Sequence, residues 1–308
     1  MNKYTRLVNM LIIGFTITFC LHSHAAEFKN RTDFPPVGHT DPAVYQENLN
    51  AHGGARSIRY MELLSGKDFK TNFLFLHRGV IPPKSGIGEH IHRNMEEMYI
   101  IFNGSARFTV NGHTSELPSG SMVLCPQGSS HGIYNHTDRD IQWMNIAVGM
   151  KKGEYDAVDF HDDLVKAELV NPPLFRWIQL DRSLMYSAGN SHEGKGNILF
   201  RRLWNPEAFG TNWYVVSHAI LPPGSSIGYH QHNTREEVYY IISGMGRLTA
   251  NGTTIEVRSG DATPCRIHGS HGIYNNSDSD LEILIFSVSL KKGVVTDEKN
   301  WGDDLTDR

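Results

Sequence analysis

A long segment is present twice in this chain of 308 residues. The stretch "IPPKSGIGEHIHRNMEEMYIIFNGSARFTVNG" at 81–112 aligns without a gap with "LPPGSSIGYHQHNTREEVYYIISGMGRLTANG" at 221–252, a shift of 140 residues. The same shift joins "NAHGG" at 50 to "NSHEG" at 190. Because a repeat of this length can bury a core of its own, each copy is expected to fold as one domain. The chain is therefore predicted to contain two homologous domains.

The limits of the repeat set the predicted domain boundaries. The first domain extends over 50–165 and the second over 190–306. An N-terminal arm at 26–49 precedes the first domain, and a linker at 166–189 joins the two. Hydrophobic residues make up 39% of the chain, which is enough for a core in each domain.

The first 25 residues are predicted to be a cleaved signal peptide. Two basic residues precede the apolar stretch Leu7–Leu21, and "HSHAA" then offers small residues for cleavage after Ala25 or Ala26. The stretch is short for a membrane span, which needs roughly 20 apolar residues. An uncleaved anchor and a lipoprotein site at Cys20 are the alternatives. The sequence thus favours a periplasmic or secreted protein.

The charge of the mature chain points to small-molecule partners. Removal of residues 1–25 leaves 27 basic against 33 acidic residues, a net charge of −6. No basic stripe is visible, so neither nucleic acid nor, after cleavage, a membrane is an expected partner. A homo-oligomer is compatible with the sequence. Cys125 and Cys265 occupy equivalent places in the repeat, which favours two buried thiols over a disulfide.

Local patterns within each copy indicate strands and turns. "RFTVNGHTSEL" and "RLTANGTTIEV" are typical of β-hairpins, with Asn-Gly at the two positions that need positive φ. Helix signals are few, and short helices are expected only at 41–49 and 180–188. Many short strands without interleaved helices predict an all-β protein with a closed or double-sheet barrel in each half.

The histidines of the repeat suggest a metal site. Side chains alternate along a strand, so His90 and His92 face the same side, and Glu97 faces inward while Glu96 faces outward. His131 follows a turn that can return a distant strand to the first. A single pair of this kind is often satisfied by neighbouring hydrogen bonds, but the four residue types recur in the second copy, as His230, His232, Glu237 and His271. Imidazole and carboxylate ligands suit Mn and Fe, and also Ni, Cu or Zn.

The two copies resemble the cupin superfamily. Its first motif, G-x5-H-x-H-x3-4-E-x6-G, is similar to "HIHRNMEEMYIIFNG" at 90–104 and "HQHNTREEVYYIISG" at 230–244. Its second motif, G-x5-P-x-G-x2-H-x3-N, is matched in the first copy by Gly120, Pro126, Gly128, His131 and Asn135. In the second copy Arg266 and His268 replace the proline and the glycine. The resemblance implies a bicupin: two tandem double-stranded β-helix (jelly-roll) barrels, each with three histidines and one glutamate as metal ligands.

Four further residues are candidates for substrate binding. Tyr99 and Tyr239 share the strand parity of the glutamates, although core residues of a barrel need no such role. Arg266 is a candidate for holding a substrate carboxylate and His268 for carrying a proton, with an exposed turn as the alternative for both. His52 and His192 recur at the start of each unit, where a structural cap is an equally good interpretation.

The resemblance also implies classes of reaction. Four protein ligands on an octahedral ion leave positions for water, oxygen or substrate. We therefore expect a metal-dependent oxidoreductase, similar to the cupin dioxygenases, that acts on a small organic acid or phenol. A decarboxylase, a sugar or sugar-acid isomerase and a non-catalytic metal- or ligand-binding bicupin are the alternatives.

Overall fold

The computed structural model of the protein describes residues 37–296 and 298–308. The predicted signal peptide and the first part of the predicted arm lie outside these residues. Within them, strands are joined by turns and by short 3-10 helices, at Pro42–Val44, Ala51–Gly53, Gly66–Asp68, Arg182–Leu184, Ser191–Glu193 and Pro206–Ala208. No helix in this part of the chain is long and apolar enough to cross a membrane. The predicted all-β class is confirmed.

Twelve strands belong to the first half of the described chain. They are β1 (Gly38–His39), β2 (Gln46–Leu49), β3 (Ser57–Ser65), β4 (Phe73–Ile81), β5 (Gly86–Ile91), β6 (Met95–Ile101), β7 (Ser105–Val110), β8 (His113–Pro118), β9 (Ser121–Cys125), β10 (Ser130–Tyr134), β11 (Ile141–Gly149) and β12 (Val158–Asp162).

Twelve more strands follow in the second half. They are β13 (Trp177–Gln179), β14 (Tyr186–Gly189), β15 (Asn197–Trp204), β16 (Trp213–Leu221), β17 (Ser226–His232), β18 (Arg235–Ser243), β19 (Met245–Ala250), β20 (Thr253–Arg258), β21 (Asp261–Cys265), β22 (Ser270–Tyr274), β23 (Leu281–Ser289) and β24 (Glu298–Asn300).

The strands form two double-sheet barrels, each with the strand order of a jelly roll. In the first barrel a sheet of order β12-β5-β10-β7-β8 faces one of order β13-β9-β6-β11-β4-β3-β2. In the second barrel the corresponding orders are β24-β17-β22-β19-β20 and β1-β21-β18-β23-β16-β15-β14. The pairing between named strands is antiparallel throughout, which suits short connections between neighbouring strands. The predicted tandem barrels are confirmed.

The Asn-Gly turns form the predicted hairpins. Asn111 and Gly112 have φ of 50° and 73°, and they join β7 to β8 with Val110 opposite His113. Asn251 and Gly252 have φ of 47° and 80° and join β19 to β20 in the same way. Both central residues of such a turn need positive φ, which asparagine and glycine adopt at least cost.

The barrels exchange their edge strands. β1, which precedes the first barrel, pairs with β21 of the second, and β13, which precedes the second barrel, pairs with β9 of the first. The segments 41–49 and 180–188, predicted as short helices, each form one 3-10 turn and then an edge strand, β2 or β14. Pairing with an adjacent sheet satisfies more backbone groups than an isolated short helix would.

A shared apolar core joins the two barrels. Each barrel interior has its own cluster, which contains Tyr99 and Trp143 in the first and Tyr239 in the second. A further cluster draws residues from both barrels, with Phe73 on one side and Trp213 on the other, both fully buried. Burial of large side chains on both sides makes this contact part of the folding unit.

Two buried glutamates connect the barrels across this core. Glu96 on β6 accepts hydrogen bonds from the backbone N–H groups of Gly210 and Thr211, at 2.7 and 2.9 Å, and from the Thr211 hydroxyl at 2.7 Å. Glu236 accepts the equivalent bonds from the backbone N–H groups of Lys70 and Thr71 in the first barrel. Glu96 faces out of its own barrel, and its side chain therefore contacts the other barrel.

Glu282 forms a partly buried ionic contact in the second barrel. Its carboxylate oxygens lie 2.7 Å from Nε2 of His218 and 2.5 Å from Nη2 of Arg182 in the linker. Burial raises the pKa of Glu282, but the hydrogen bonds from His218 and Arg182 outweigh this and lower it to about 2.

Replacement of Glu96 is expected to destabilise the protein. Glu96→Ala leaves three donors of the second barrel without an acceptor, two of them on the buried Thr211, which should lower the free energy of unfolding by about 3 kcal/mol. Glu256→Ala, on an exposed strand position, is the matched control and should change it by less than about 0.5 kcal/mol. Urea unfolding of the two variants measures the difference. Equal losses in both would contradict the role of Glu96.

Stability is also expected to depend on Glu282 at acidic pH. Its pKa is lower in the folded chain than the usual 4.5, so its contribution is complete above about pH 5 and lost as pH falls toward 2. Relative to Glu282→Gln, the wild type should lose up to about 3 kcal/mol of stability over that interval. Unfolding curves at several pH values measure this. A difference that is independent of pH would contradict the assignment.

Candidate metal centres

The first candidate centre lies inside the first barrel. β5 carries His90, and His92 follows its last residue; β6 carries Glu97 and β10 carries His131. The register of β5 and β10 puts His131 opposite His90. One ligand atom from each of the four buried side chains lies within 4.8 Å of all the others. The four predicted ligands are thus brought together.

Hydrogen bonds orient the three imidazoles toward a common point. The Nδ1 atoms of His90 and His131 lie 2.8 and 3.2 Å from the carbonyl oxygens of Gly88 and Ser129, and Nδ1 of His92 contacts the carbonyl of Asp156. A backbone acceptor at Nδ1 keeps the proton on that nitrogen and leaves Nε2 for a ligand.

The charge distribution fits a cation at this point. Burial lowers the pKa of His90 to about 2, so its ring is neutral, and its buried Nε2 has no hydrogen-bond partner among the described residues. Burial alone would lower the pKa of His92 as well, but Glu97, with Oε1 3.4 Å from Nε2, raises it. The carboxylate of Glu97 thus favours a positive charge in the space between it and the histidines. Neutral imidazoles and one ionised carboxylate are the donors that divalent transition metals bind.

The second centre repeats this arrangement. His230 lies opposite His271 in the pairing of β17 with β22, and Nδ1 of His230 lies 2.8 Å from the carbonyl oxygen of Gly228. Oε2 of Glu237 is 3.3 Å from Nε2 of His232 and 3.6 Å from Nε2 of His271. The four ligand atoms again lie within 4.8 Å of one another. Both groups of residues therefore fit a divalent metal ion.

An arginine distinguishes the second centre from the first. Nε of Arg235 lies 3.2 Å from Oε1 of Glu237, and its Nη2 pairs with Glu298. Met95 stands at the equivalent place in the first barrel and is fully buried. One oxygen of the second-barrel glutamate is therefore shared with a cationic side chain, whereas Glu97 has no such neighbour at that position.

A histidine outside each ligand set stacks on the first ligand. The ring of His52 lies 3.8 Å from that of His90, with 7° between the planes, and His192 lies 3.7 Å from His230 at 8°. Nδ1 of His52 is held 2.6 Å from Oδ1 of Asp159. The recurrence of these histidines was visible in the sequence, but their stacking depends on a loop that folds over β5 or β17.

Glycine on the ligand strand permits this stacking. The loop that carries His52 crosses β5 so closely that a Cβ on Gly88 would overlap the carbonyl oxygen of His52. Gly228 stands in the same relation to His192. A glycine two residues before the first histidine ligand is therefore a requirement of close packing in both barrels.

The barrels differ in the cavity next to the glutamate ligand. In the first barrel a cavity of about 460 Å³ borders Glu97, and five aromatic rings line it, together with the charged Glu62 and Lys67: Tyr60, Phe75, Tyr99, Trp143 and Tyr155. In the second barrel the cavity beside Glu237 is about 210 Å³, and it is lined partly by charged groups: Arg202, Arg235 and Glu298. The same ligand set thus faces two different environments.

The predicted substrate residues divide into two pairs. Tyr99 lines the first cavity and Tyr239 the second, where it stacks on His271 with ring centres 4.5 Å apart. Arg266 is half exposed, with Nη2 3.4 Å from Oδ1 of Asp68 in the first barrel. His268 is exposed on its turn. Neither Arg266 nor His268 is among the residues that line the cavity at Glu237.

Similar solved structures have the same fold. A salicylate 1,2-dioxygenase variant from Pseudoaminobacter salicylatoxidans, solved in complex with gentisate, has a TM-score of 0.58 and 15% identity, over 75% of this chain and 74% of that chain. Oxalate decarboxylase from Bacillus subtilis, an enzyme with Mn(II) centres, has a TM-score of 0.57 and 15% identity, over 88% of this chain and 81% of that chain. Likeness at this level of identity shows the shared architecture.

Sequence comparison identifies the family. The family model for the cupin domain matches residues 77–147 and 217–287, which contain both ligand sets. The oxalate-binding protein of Thermotoga maritima is 35% identical over 101 residues, which are 33% of this chain and 84% of that protein. With its two matched domains and two barrels, the chain belongs to the cupin family and is a bicupin.

Proposed function

We propose that this bicupin is an exported, metal-dependent oxidoreductase of the dioxygenase type, and that its first barrel acts on a small phenol or organic acid. One observation carries the proposal: a cavity of about 460 Å³ with five aromatic rings in its wall borders the Glu97 ligand. A planar ring packs favourably against such walls, and its reactive edge would then lie beside the metal ligands.

The residues of the first barrel would bind and orient this substrate. Tyr60, Phe75 and Trp143 would supply apolar surface that excludes water from the ring, while Glu97 and the three histidines would hold the metal. When bound, a divalent Mn or Fe ion supplies Lewis-acid and redox chemistry at this position. Mn is supported by the Mn(II) centres of the structurally similar decarboxylase, and Fe by the same donor set.

The second barrel is a poorer candidate for the same substrate. Its cavity is less than half the volume of the first, and Arg235 lines it, paired with Glu237 and Glu298. A large aromatic ring would have to displace Arg235 from its pair with the buried Glu237. We therefore assign the second centre to metal binding without turnover of the aromatic substrate.

Decarboxylation of a small acid is the second candidate function. It is supported by the 35% identity to a protein named for oxalate binding, and by the two arginines, Arg202 and Arg235, that line the smaller cavity. Guanidinium groups pair well with carboxylates. In this alternative the second barrel, and not the first, would take the substrate.

Metal content tests the two centres separately. Protein isolated from the exported fraction, with its N-terminus at residue 26 or 27, should carry close to two equivalents of Mn or Fe per chain. His90→Ala and His230→Ala should each lose one equivalent, and the double variant both, because each removes a buried ligand. Elemental analysis measures this, with the exposed His113→Ala as the control. Equal metal in the control and the double variant would overturn the ligand assignment.

Oxygen consumption tests the reaction. With salicylate, catechol or gentisate, the metal-loaded protein should consume dioxygen, and His90→Ala should slow this by at least about 100-fold. His230→Ala should keep most of the rate, because the first barrel is intact. An oxygen electrode records the uptake. Release of CO2 from oxalate, sensitive to His230→Ala and not to His90→Ala, would instead support the second candidate.

A further inference from the structure

Two buried polar atoms on β11 have no hydrogen-bond partner among the described residues. They are Nε1 of Trp143 and Oδ1 of Asn145, in side chains whose residues are 2% and 5% exposed. Both residues line the cavity of the first barrel. A buried donor or acceptor left unpaired costs about 1–3 kcal/mol. Such atoms at the wall of a cavity are normally satisfied by what the cavity holds.

The two atoms are complementary, and they belong to neighbouring residues on one face of β11. Trp143 and Asn145 are two residues apart on one strand, so their side chains face the same way, with backbones about 7 Å apart. Nδ2 of Asn145 donates to Oε2 of Glu97 at 3.3 Å, because a carboxylate can only accept, and this leaves Oδ1 as an acceptor toward the cavity. The indole N–H is a donor only.

The second barrel lacks this pair. The shift of 140 residues carries Trp143 to Ile283 and Asn145 to Ile285, and Ile285 lines the smaller cavity. The donor and the acceptor are therefore a property of the first barrel alone, not a structural need of the fold. Trp213 also has an unpartnered indole N–H, but it lies in the core between the barrels.

We infer that Trp143 and Asn145 recognise a hydroxyl group on the aromatic substrate. The indole N–H donates to the hydroxyl oxygen, and the hydroxyl proton is donated to Oδ1 of Asn145, so one group satisfies both atoms. A carboxylate would accept from Trp143 but has no proton to donate to Oδ1, and the ionised Glu97 would repel it. The inference rests on the proposed function and narrows its substrate class to hydroxylated rings.

Paired probes test this recognition on the metal-loaded full-length mature protein. Phenol and toluene are similar in size and differ in a hydroxyl against a methyl group. We expect the wild type to bind phenol at least about 10-fold more tightly than toluene, because toluene leaves both buried atoms unpaired. Ligand-observed NMR titration measures both dissociation constants.

Variants assign the preference to the two side chains. Trp143→Phe keeps an aromatic ring but removes the N–H, and should lower phenol affinity about 10-fold while leaving toluene affinity unchanged. Asn145→Leu should reduce the preference in the same direction. Trp213→Phe removes an equally buried, unpartnered N–H outside the cavity and is the matched control, which should keep the wild-type preference.

The outcomes separate the inference from the proposed function. Equal binding of phenol and toluene, or a preference that survives in both Trp143→Phe and Asn145→Leu, would overturn hydroxyl recognition and leave the aromatic cavity in place. Failure of both probes to bind the wild type would overturn the proposed function as well. Unfolding midpoints close to that of the wild type confirm that each variant is folded when its affinities are compared.

Discussion

The alternation of side chains along β6 and β18 is the constraint on which both metal centres and the union of the barrels depend. Neighbouring residues of a strand face opposite sides of the sheet. Glu97 therefore turns inward to the histidines while Glu96 turns outward to the backbone of the second barrel. Glu237 and Glu236 divide in the same way. A slip of one residue in either strand would lose a metal ligand and an interbarrel contact together.

This coupling gives each centre a rigid frame. The ligand glutamate sits on a strand that is held on one face by a barrel core and on the other by the core between the barrels. In addition, β1 forms hydrogen bonds with β21 of the second barrel, and β13 forms hydrogen bonds with β9 of the first. The ligand positions are therefore supported by both domains, although each set of four comes from one.

Duplication with divergence accounts for the difference between the centres. The ligands and the stacked histidines are common to both halves, but the surrounding residues differ in kind. Trp143 and Asn145 line the first cavity, and isoleucines stand at the equivalent positions of the second barrel. Arg235 lines the second cavity, and methionine stands at the equivalent position of the first barrel. One fold thus presents an aromatic, partly polar cavity in one barrel and a small, charged one in the other.

The sequence by itself determined the repeat, the β class and the eight residues of the two candidate metal centres, because these follow from local spacing: a period of two in strands, Asn-Gly at turns, and a recurring motif. Only the tertiary structure decided what surrounds the ligands. The stacking of His52 on His90, the exchange of edge strands and the reach of Arg235 to Glu298 join residues that are far apart in the chain. The two edge strands, β2 and β14, were predicted as short helices. They form because they pair with β3 and β15, and no local sequence pattern predicts that pairing. The alternation of side chains along the strand indicated that Tyr99 faces inward. Whether it would line a cavity depended on the packing of both sheets.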